Sequence, residues 1–304
     1  METVRPKGER GSVYYFFVNR TSGKGRSVEV WNEIEKILKE KNVQYQAVTT
    51  DTKEEALEIL KELLCTKQAI QAIVALGGDG TIHSIMNELI GSSVPFSVIP
   101  TGSGNDYARA RGISKDYRKE IEKLLLNEQK KIDLLEVGNR HCMTVVGIGF
   151  DGKVADEANK MKWKRWLGGT AYFFTILKVL LTYKPSEIKL KLNDEERLFK
   201  KVWLIAIANH AYYGGGIKIC PIAKSNDGKL DICVIHSLPK WRLLFILARV
   251  FSGKHVSMKG VEYHQVEKIE VESDEPLFVT ADGEMMGQTP TTVSIKKEAF
   301  HVMN

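Results

Sequence analysis

A chain of 304 residues, 43% hydrophobic and 27% charged, has room for two domains with separate cores and the composition of an ordinary globular protein. Cys65, Cys142, Cys220 and Cys233 lie far apart without metal-knuckle spacing, which excludes a disulfide framework or zinc module and suggests thiols of a reducing compartment. The formal charge of +6 leaves nucleotides and acidic lipid surfaces open as partners, while no nucleic-acid module is visible and no nucleic-acid partner is expected.

In chain order, Val13 to Val18 reads as an apolar strand that opens into the polar loop Asn19-Arg20-Thr21-Ser22-Gly23-Lys24-Gly25. Val30, Trp31, Ile34, Ile37 and Leu38 mark an amphipathic helix, and Tyr45 to Thr49 is a second strand. Thr50-Asp51-Thr52 supplies cap residues for a helix carrying Ala56, Leu57, Leu60, Leu63 and Leu64 on one face. The third strand, Ala72 to Leu76, enters Gly77-Gly78-Asp79-Gly80-Thr81, and Ile82, Ile85, Met86, Leu89 and Ile90 then define another helix. Pro95 to Ile99 is a fourth strand, ending in Pro100-Thr101-Gly102-Ser103-Gly104-Asn105-Asp106, and a helix over Lys115 to Leu126 closes the region. Alternating strands and helices predict a parallel sheet whose ligands sit at the carboxyl ends of the strands, the edge from which the loops at Asn19, Gly77 and Thr101 all leave.

At the Gly77 turn, glycines allow close backbone approach and the new helix offers unpaired amides to an anion. Asp79 would repel a phosphate chain unless a divalent cation or a donor stood between them, so the turn suggests phosphate plus metal. The competing reading is an ordinary βα turn rich in Gly and Asp.

From about Lys131 the pattern changes. Ile132 to Val137, His141 to Val146, Glu187 to Leu192, Leu198 to Ala208, Leu230 to His236, Lys268 to Glu272 and Leu277 to Thr280 are strand-like with few helices between them, which predicts a mostly antiparallel β domain. The expected domains are 1–130 and 131–304, with the extreme C-terminus packing back on the first. Two segments combine basic and aromatic residues: Asn159 to Tyr183, with Lys160, Lys162, Lys164, Arg165, Trp163 and Trp166, and Pro239 to Phe251, with Lys240, Arg242, Arg249, Trp241 and Phe245. They suit either an anionic membrane surface or amphipathic helices packed on the β domain. The greasiest stretch, Ala171 to Leu181, is too short to span a bilayer and contains Lys178, and the N-terminal residues carry no apolar signal core. The expected location is therefore cytoplasmic, peripheral to the inner face of the membrane.

Gly77-Gly-Asp-Gly-Thr81 with Asn87-Glu88, then Pro100-Thr-Gly-Ser-Gly-Asn-Asp106, resembles the diacylglycerol kinase catalytic family, particularly its soluble bacterial lipid kinases. Gly147-Ile-Gly-Phe-Asp151, Asn209 to Gly216, Cys220 to Asp231 and Ala281-Asp-Gly-Glu284 follow in the family's order, so the resemblance covers essentially the whole chain. One departure is Asn19-Arg20, where the family usually has Asn-Pro.

The resemblance implies an N-terminal three-layer nucleotide-binding α/β domain, a C-terminal mostly antiparallel β-sandwich, and an active site in the interdomain cleft. It implies ATP and Mg²⁺ as cofactors and a lipid alcohol such as diacylglycerol as substrate; a homodimer is left open. By the same resemblance Asn19, Arg20, Thr21, Ser22, Gly23 and Thr50 hold nucleotide, Gly77, Gly78, Gly80, Thr81, Ile82, His83 and Ser84 wrap phosphate, and Ser103 adds a hydroxyl. Asp79 acts with Mg²⁺, and Asp133 belongs to a supporting network or merely begins a strand. Asp282 is the general base for a lipid hydroxyl too weakly acidic to lose its proton unaided, or else a residue of a hairpin turn. Lys224, Asp227 and Lys229 would hold a structural Mg²⁺ through one carboxylate and two carbonyls, although Asn226-Asp227-Gly228 is also an ordinary turn. The rivals are an NAD kinase, which shares Gly-Gly-Asp-Gly but has a different later loop, and a non-catalytic nucleotide- or lipid-binding protein.

Overall fold

Residues 12–66, 68–160 and 175–303 are described by the structure, a computed structural model. Their contacts divide the chain into two units: one runs to Ile132 and resumes at Glu298, the other is Asp133–Lys297.

In the first unit, strands β1 (Val13–Asn19), β2 (Tyr45–Thr50), β3 (Ile70–Gly77) and β4 (Phe96–Pro100) form a parallel sheet in the order β4-β3-β1-β2. The interior strands are nearly continuous apolar runs because helices cover both faces. Tyr14, Phe16 and Val18 of β1 pack with Trp31, Ile34 and Leu38 of α1 (Arg26–Glu40) and with Ile121 and Leu124 of α5 (Tyr117–Leu126). Alternate residues Tyr15 and Phe17 are equally buried on the other side, and α2 (Lys53–Cys65) packs on α3 (Asp79–Leu89) there. Thr52 caps α2 by accepting the Glu55 amide at 3.2 Å. The short helix α4 (Asp106–Ala110) follows β4, and α5 begins at Tyr117 rather than Lys115, because the Asp116 side chain caps it through the Arg118 amide. Ile90 is the C-cap of α3, not part of its buried face.

The second unit is antiparallel. Its strands are the end of β5 (Gln129–Val137), β6 (Arg140–Cys142), β7 (Val145–Gly149), β8 (Ser186–Leu192), β9 (Glu195–Ala208), β10 (Leu230–His236), β11 (Val261–Val266), β12 (Lys268–Ser273), β13 (Phe278–Ala281), β14 (Glu284–Gln288) and the start of β15 (Thr291–Met303). β9 carries the sandwich: its first half pairs with β8, its second half with β7 and β10, and Lys201, at φ 54°, lies where it changes partners. One face of these strands builds the sandwich core around Ile188, Leu190, Ile205, Ile207, Ile232 and Val271. The other face of β7, β9 and β10 carries Trp203, Cys233 and Ile235, covered by α6 (Phe150–Lys160), α7 (175–182) and α8 (Lys240–Val250). β15 ends in the first unit, where Val302 pairs in parallel with Phe96 of β4.

Two expectations are corrected. His141 to Val146 is not one strand: the chain breaks at Met143 and Thr144, whose amides turn to the Asp282 carboxylate. Helices are also more frequent in the β half than expected, since α6 starts directly out of the Gly147-Ile-Gly-Phe150 motif. Most of the basic-aromatic segment Asn159 to Tyr183 lies outside the described residues. Among those described, no helix is long and apolar enough to cross a membrane.

Under the helical layer, Asp151 faces an otherwise apolar cavity lined by Phe150, Trp203, Ile235, Leu243 and Ile246, and Tyr213 Oη donates to its Oδ2 at 2.6 Å. Burial pushes its carboxyl up from 3.8 to about 6, against the tyrosine's hydrogen bond. A carboxyl raised in the folded state stabilises the fold fully below its unfolded value, and that contribution is lost as pH rises through about 6. Urea unfolding between pH 4 and 7 should therefore show the natural protein losing stability relative to Asp151→Asn, by at most about 3 kcal/mol. Parallel curves would mean that Asp151 is already ionised and hydrated at pH 4.

Candidate active site

The sheet order places the loops after β1, β3 and β4 side by side at the carboxyl edge, and hydrogen bonds close them into one surface. Asn19, the last residue of β1, accepts the amide and hydroxyl of Thr21 on Oδ1 at 3.0 and 2.8 Å, forming a local turn. Its Nδ2 donates to Thr81 Oγ1 at 2.9 Å, joining this loop to the first turn of α3. Thr101 Oγ1 donates to Ser22 Oγ at 3.2 Å, and the amides of Thr101 and Gly102 both donate to the Gly77 carbonyl, at 3.0 and 3.3 Å.

This closeness requires glycine. A Cβ on Gly102 would stand 2.5 Å from Gly78 Cα, and one on Gly104 would stand 2.6 Å from Asp79 Oδ2. Asp79 opens α3, and its Oδ1 accepts the Tyr107 amide at 3.4 Å, so its carboxylate is held between the two loops beside the helix N-terminus. The first-turn amides of α3 have no preceding carbonyls within the helix, and with the helix dipole they favour an anion there. Among the described residues no group of three or more His, Cys, Asp or Glu could hold a metal unaided. One carboxylate beside an anion site does fit Mg²⁺, which is usually bound by one or two carboxylates together with phosphate oxygens and water.

Other predicted residues fall at different depths. Gly80 and Ser103 are exposed, Ser84 is half-buried, and Thr50 is buried with its carbonyl accepting the Arg20 amide at 2.9 Å. Arg20 pairs with Asp51 at 2.9 Å, both exposed, so its guanidinium is directed to the end of β2. Gly23, at φ 59°, lies against the Thr101 carbonyl. His83 is buried and packs. The Ile82 side chain is fully in the core, and its amide donates to Gly78 O in the first turn of α3.

In the second unit, Asp282 and Gly283 form the two-residue turn between β13 and β14, at φ 51° and 83°. The turn reading is therefore realised, and it aims a carboxylate. Asp282 Oδ2 accepts the Met143 amide at 2.7 Å; Oδ1 accepts the Thr144 amide at 2.8 Å, the Thr144 hydroxyl and, at 3.4 Å, the Val145 amide. Asp133 is buried and accepts the Gly228 amide at 2.8 Å, while its own amide donates to Ser225 O at 2.7 Å. It thereby ties the exposed Lys224–Lys229 loop to β5. Asp227 Oδ1 accepts the Lys229 amide at 3.1 Å, the Asx turn expected of Asn226-Asp227-Gly228.

Sequence reasoning missed Gly102, Gly104 and Tyr107, although the glycines stood inside a quoted motif. It also missed Met143 and Thr144, which carried no signal within an apolar run, and the pairing of Asp151 with Tyr213. Gly104→Ala should push the Asp79 carboxylate aside, raising the Mg²⁺ concentration needed for half-maximal turnover while costing about 1–3 kcal/mol or less in stability. Magnesium titration and thermal unfolding of the same preparation check it. An unaltered magnesium requirement would detach Asp79 from the metal.

Two family models match the chain: residues 13–137 the diacylglycerol kinase catalytic domain, and residues 144–304 the YegS C-terminal NAD kinase beta sandwich-like domain. The "Putative lipid kinase YtlR" of Bacillus subtilis (strain 168) is 30% identical over 295 residues, covering 92% of this chain and 95% of that protein. A diacylglycerol kinase of Mycobacterium tuberculosis is 28% identical, covering 94% and 93%. A crystal structure of a diacylglycerol kinase from Bacillus anthracis shares the fold over 98% of both chains, with a TM-score of 0.73 at 17% identity. With a phosphate-type loop cluster in one unit, a β-sandwich in the other and both halves matched in order, the chain belongs to the diacylglycerol kinase catalytic-domain family of lipid kinases.

Proposed function

We propose that the protein is an ATP- and Mg²⁺-dependent kinase that transfers the γ-phosphoryl group to the hydroxyl of diacylglycerol or a related lipid alcohol at a membrane surface. The observation that carries the reading is the hydrogen-bonded set of loops holding Asp79 against Gly104 beside the α3 N-terminus. Asn19, Ser22, Gly78, Gly80 and Thr101 would line the phosphate chain, and Asp79 would hold Mg²⁺. Bound there, Mg²⁺ supplies neutralisation of phosphate charge. A further Mg²⁺ at Lys224, Asp227 and Lys229 remains part of the proposal, with Asp227 offering its one acidic side chain.

Asp282 orients the lipid hydroxyl and takes its proton as that oxygen bonds to the γ-phosphorus, while the bond from phosphorus to the β,γ-bridging oxygen breaks and ADP leaves. Donors on both carboxylate oxygens weaken the base. A loose phosphoryl-transfer transition state tolerates this, since it asks chiefly for positioning.

The lipid part rests on α8. Its Leu243, Ile246 and Val250 are buried, whereas Trp241, Leu244, Phe245 and the following Phe251 are exposed. Leu181, at the end of α7, is 74% exposed, and Lys240 Nζ donates to its carbonyl at 2.7 Å. Arg242 stacks over Trp241, and Arg249 lies on the same helix. Exposed aromatics among cations suit an anionic lipid surface and have no use for a soluble substrate such as NAD.

Purified protein incubated with labelled ATP, Mg²⁺ and diacylglycerol, sphingosine or monoacylglycerol micelles, with NAD in parallel, should label a lipid. Label on NAD alone would sink the proposal. Asp282→Asn should reduce turnover by about 100-fold or more while leaving ATP binding intact; near-normal turnover would make Asp282 a turn residue only. Independently, Trp241→Ala with Phe245→Ala should weaken sedimentation with phosphatidylglycerol vesicles by about 10-fold or more without lowering turnover of a detergent-dispersed lipid. Unchanged sedimentation would assign this face to some other contact.

A further inference from the structure

Asn209 follows the last residue of β9 and is fully buried. Its Nδ2 donates to two carbonyls, Asp133 O at 2.8 Å and Met143 O at 3.2 Å. The amide orientation is fixed by these partners, because an oxygen in that place would face two carbonyl oxygens. Its main-chain N–H donates to Thr144 O at 2.8 Å, and that of His210 reaches the same oxygen at 3.3 Å.

The Met143 carbonyl and the Thr144 N–H belong to one peptide plane, as do the Thr144 carbonyl and the Val145 N–H. The N–H ends of these planes are the groups that hold Asp282 Oδ1, at 2.8 and 3.4 Å. Two relays therefore run from Asn209 to the candidate base. One goes from Nδ2–H through the Met143–Thr144 peptide, the other from N–H through the Thr144–Val145 peptide. A peptide that accepts at its oxygen is a stronger donor at its nitrogen, and a plane pinned at one end is oriented at the other. The return bond from Asp282 N to Val145 O, at 3.1 Å, closes the arrangement.

We infer that Asn209 is a positioning residue for Asp282, setting the direction and strength of the amides that hold its carboxylate. The same Nδ2 grips the Asp133 carbonyl, so the segment carrying Asp133, whose carboxylate fastens the Lys224–Lys229 loop, is clamped by one side chain to the segment that seats the base. A purely structural asparagine would be explained by either carbonyl alone. Here both side-chain and main-chain donors converge on consecutive peptides that end on one carboxylate oxygen.

The inference rests on the reading of Asp282 as base, and the tests separate the two. Asn209→Ala should lower kcat by about 10-fold with KM for ATP unchanged, as loss of an outer-shell partner does. It should also move the acid limb of the pH–rate profile to higher pH, because a carboxylate with weaker donors holds a proton more tightly. A uniform loss of active protein with an unmoved acid limb would overturn the positioning role, while Asp282→Asn alone decides whether Asp282 is the base. Should Asn209→Ala not fold, protein labelled with ¹⁵N-asparagine gives a second readout: the Asn209 side-chain amide resonances should shift in Asp282→Asn. Resonances that stay in place would overturn the relay.

Discussion

The Gly77 carbonyl accepts two amides from the loop after β4, and the candidate nucleotide site depends on that pairing. A parallel sheet ends with main-chain groups that have lost their ladder partners, and each strand end must find others. Here the end of β3 finds them in Thr101 and Gly102, which draws the Pro100–Asp106 loop over the Gly78 turn until Gly102 and Gly78 are in backbone contact. Asp79 then has Gly104 against one oxygen and the Tyr107 amide on the other. The acid that looks ill-placed beside a phosphate is set between the two loops, with its oxygens only lightly engaged.

The two proposed catalytic carboxylates are held in contrasting ways, and the contrast fits their roles. Asp79 has one weak amide contact at 3.4 Å, which suits an oxygen pair meant for a cation. Asp282 is surrounded by donors from three consecutive residues, a setting that fixes direction at the expense of basicity. A metal ligand gains from spare lone pairs; a base whose transition state forms little bond to the nucleophile gains more from aim.

Much of this was legible in the sequence, for identifiable reasons. Apolar runs such as Ile73–Leu76 announce covered parallel strands, and glycine loops at their ends announce the edge where ligands bind. Asp282-Gly283 announces a turn, which the structure contains, and only the family resemblance singles out its carboxylate as a candidate base. What was hidden depended on pairing across long separations. Met143 and Thr144 lie in an apolar stretch that looks like uninterrupted strand, and only a carboxylate 138 residues away makes them turn. Ile82 sits in a phosphate-loop motif, but helix periodicity sends it to the core. Asn209 stood in a recognised motif with no sign of the task inferred for it, since that task depends on the carbonyls of Asp133 and Met143, far away in sequence.

The helical layer of the second unit bears on the proposed lipid substrate. A helix lying on one sheet buries only the face turned towards it, yet α8 carries apolar residues on both faces. Leu243, Ile246 and Val250 satisfy the sheet side, over the cavity that Asp151 and Tyr213 enter. Trp241, Leu244 and Phe245 have no such partner among the described residues and sit among cations. Three large apolar side chains left in water mark a surface with an interaction to make. Under the proposed function, an enzyme drawing its substrate from a bilayer would gain contact area from the same residues, with Arg242 and Arg249 on the same helix as candidate partners of lipid phosphates. The exposed face of α8 is thus the surface counterpart of the Gly77 turn: one suits the donor's phosphates, the other the acceptor's surroundings.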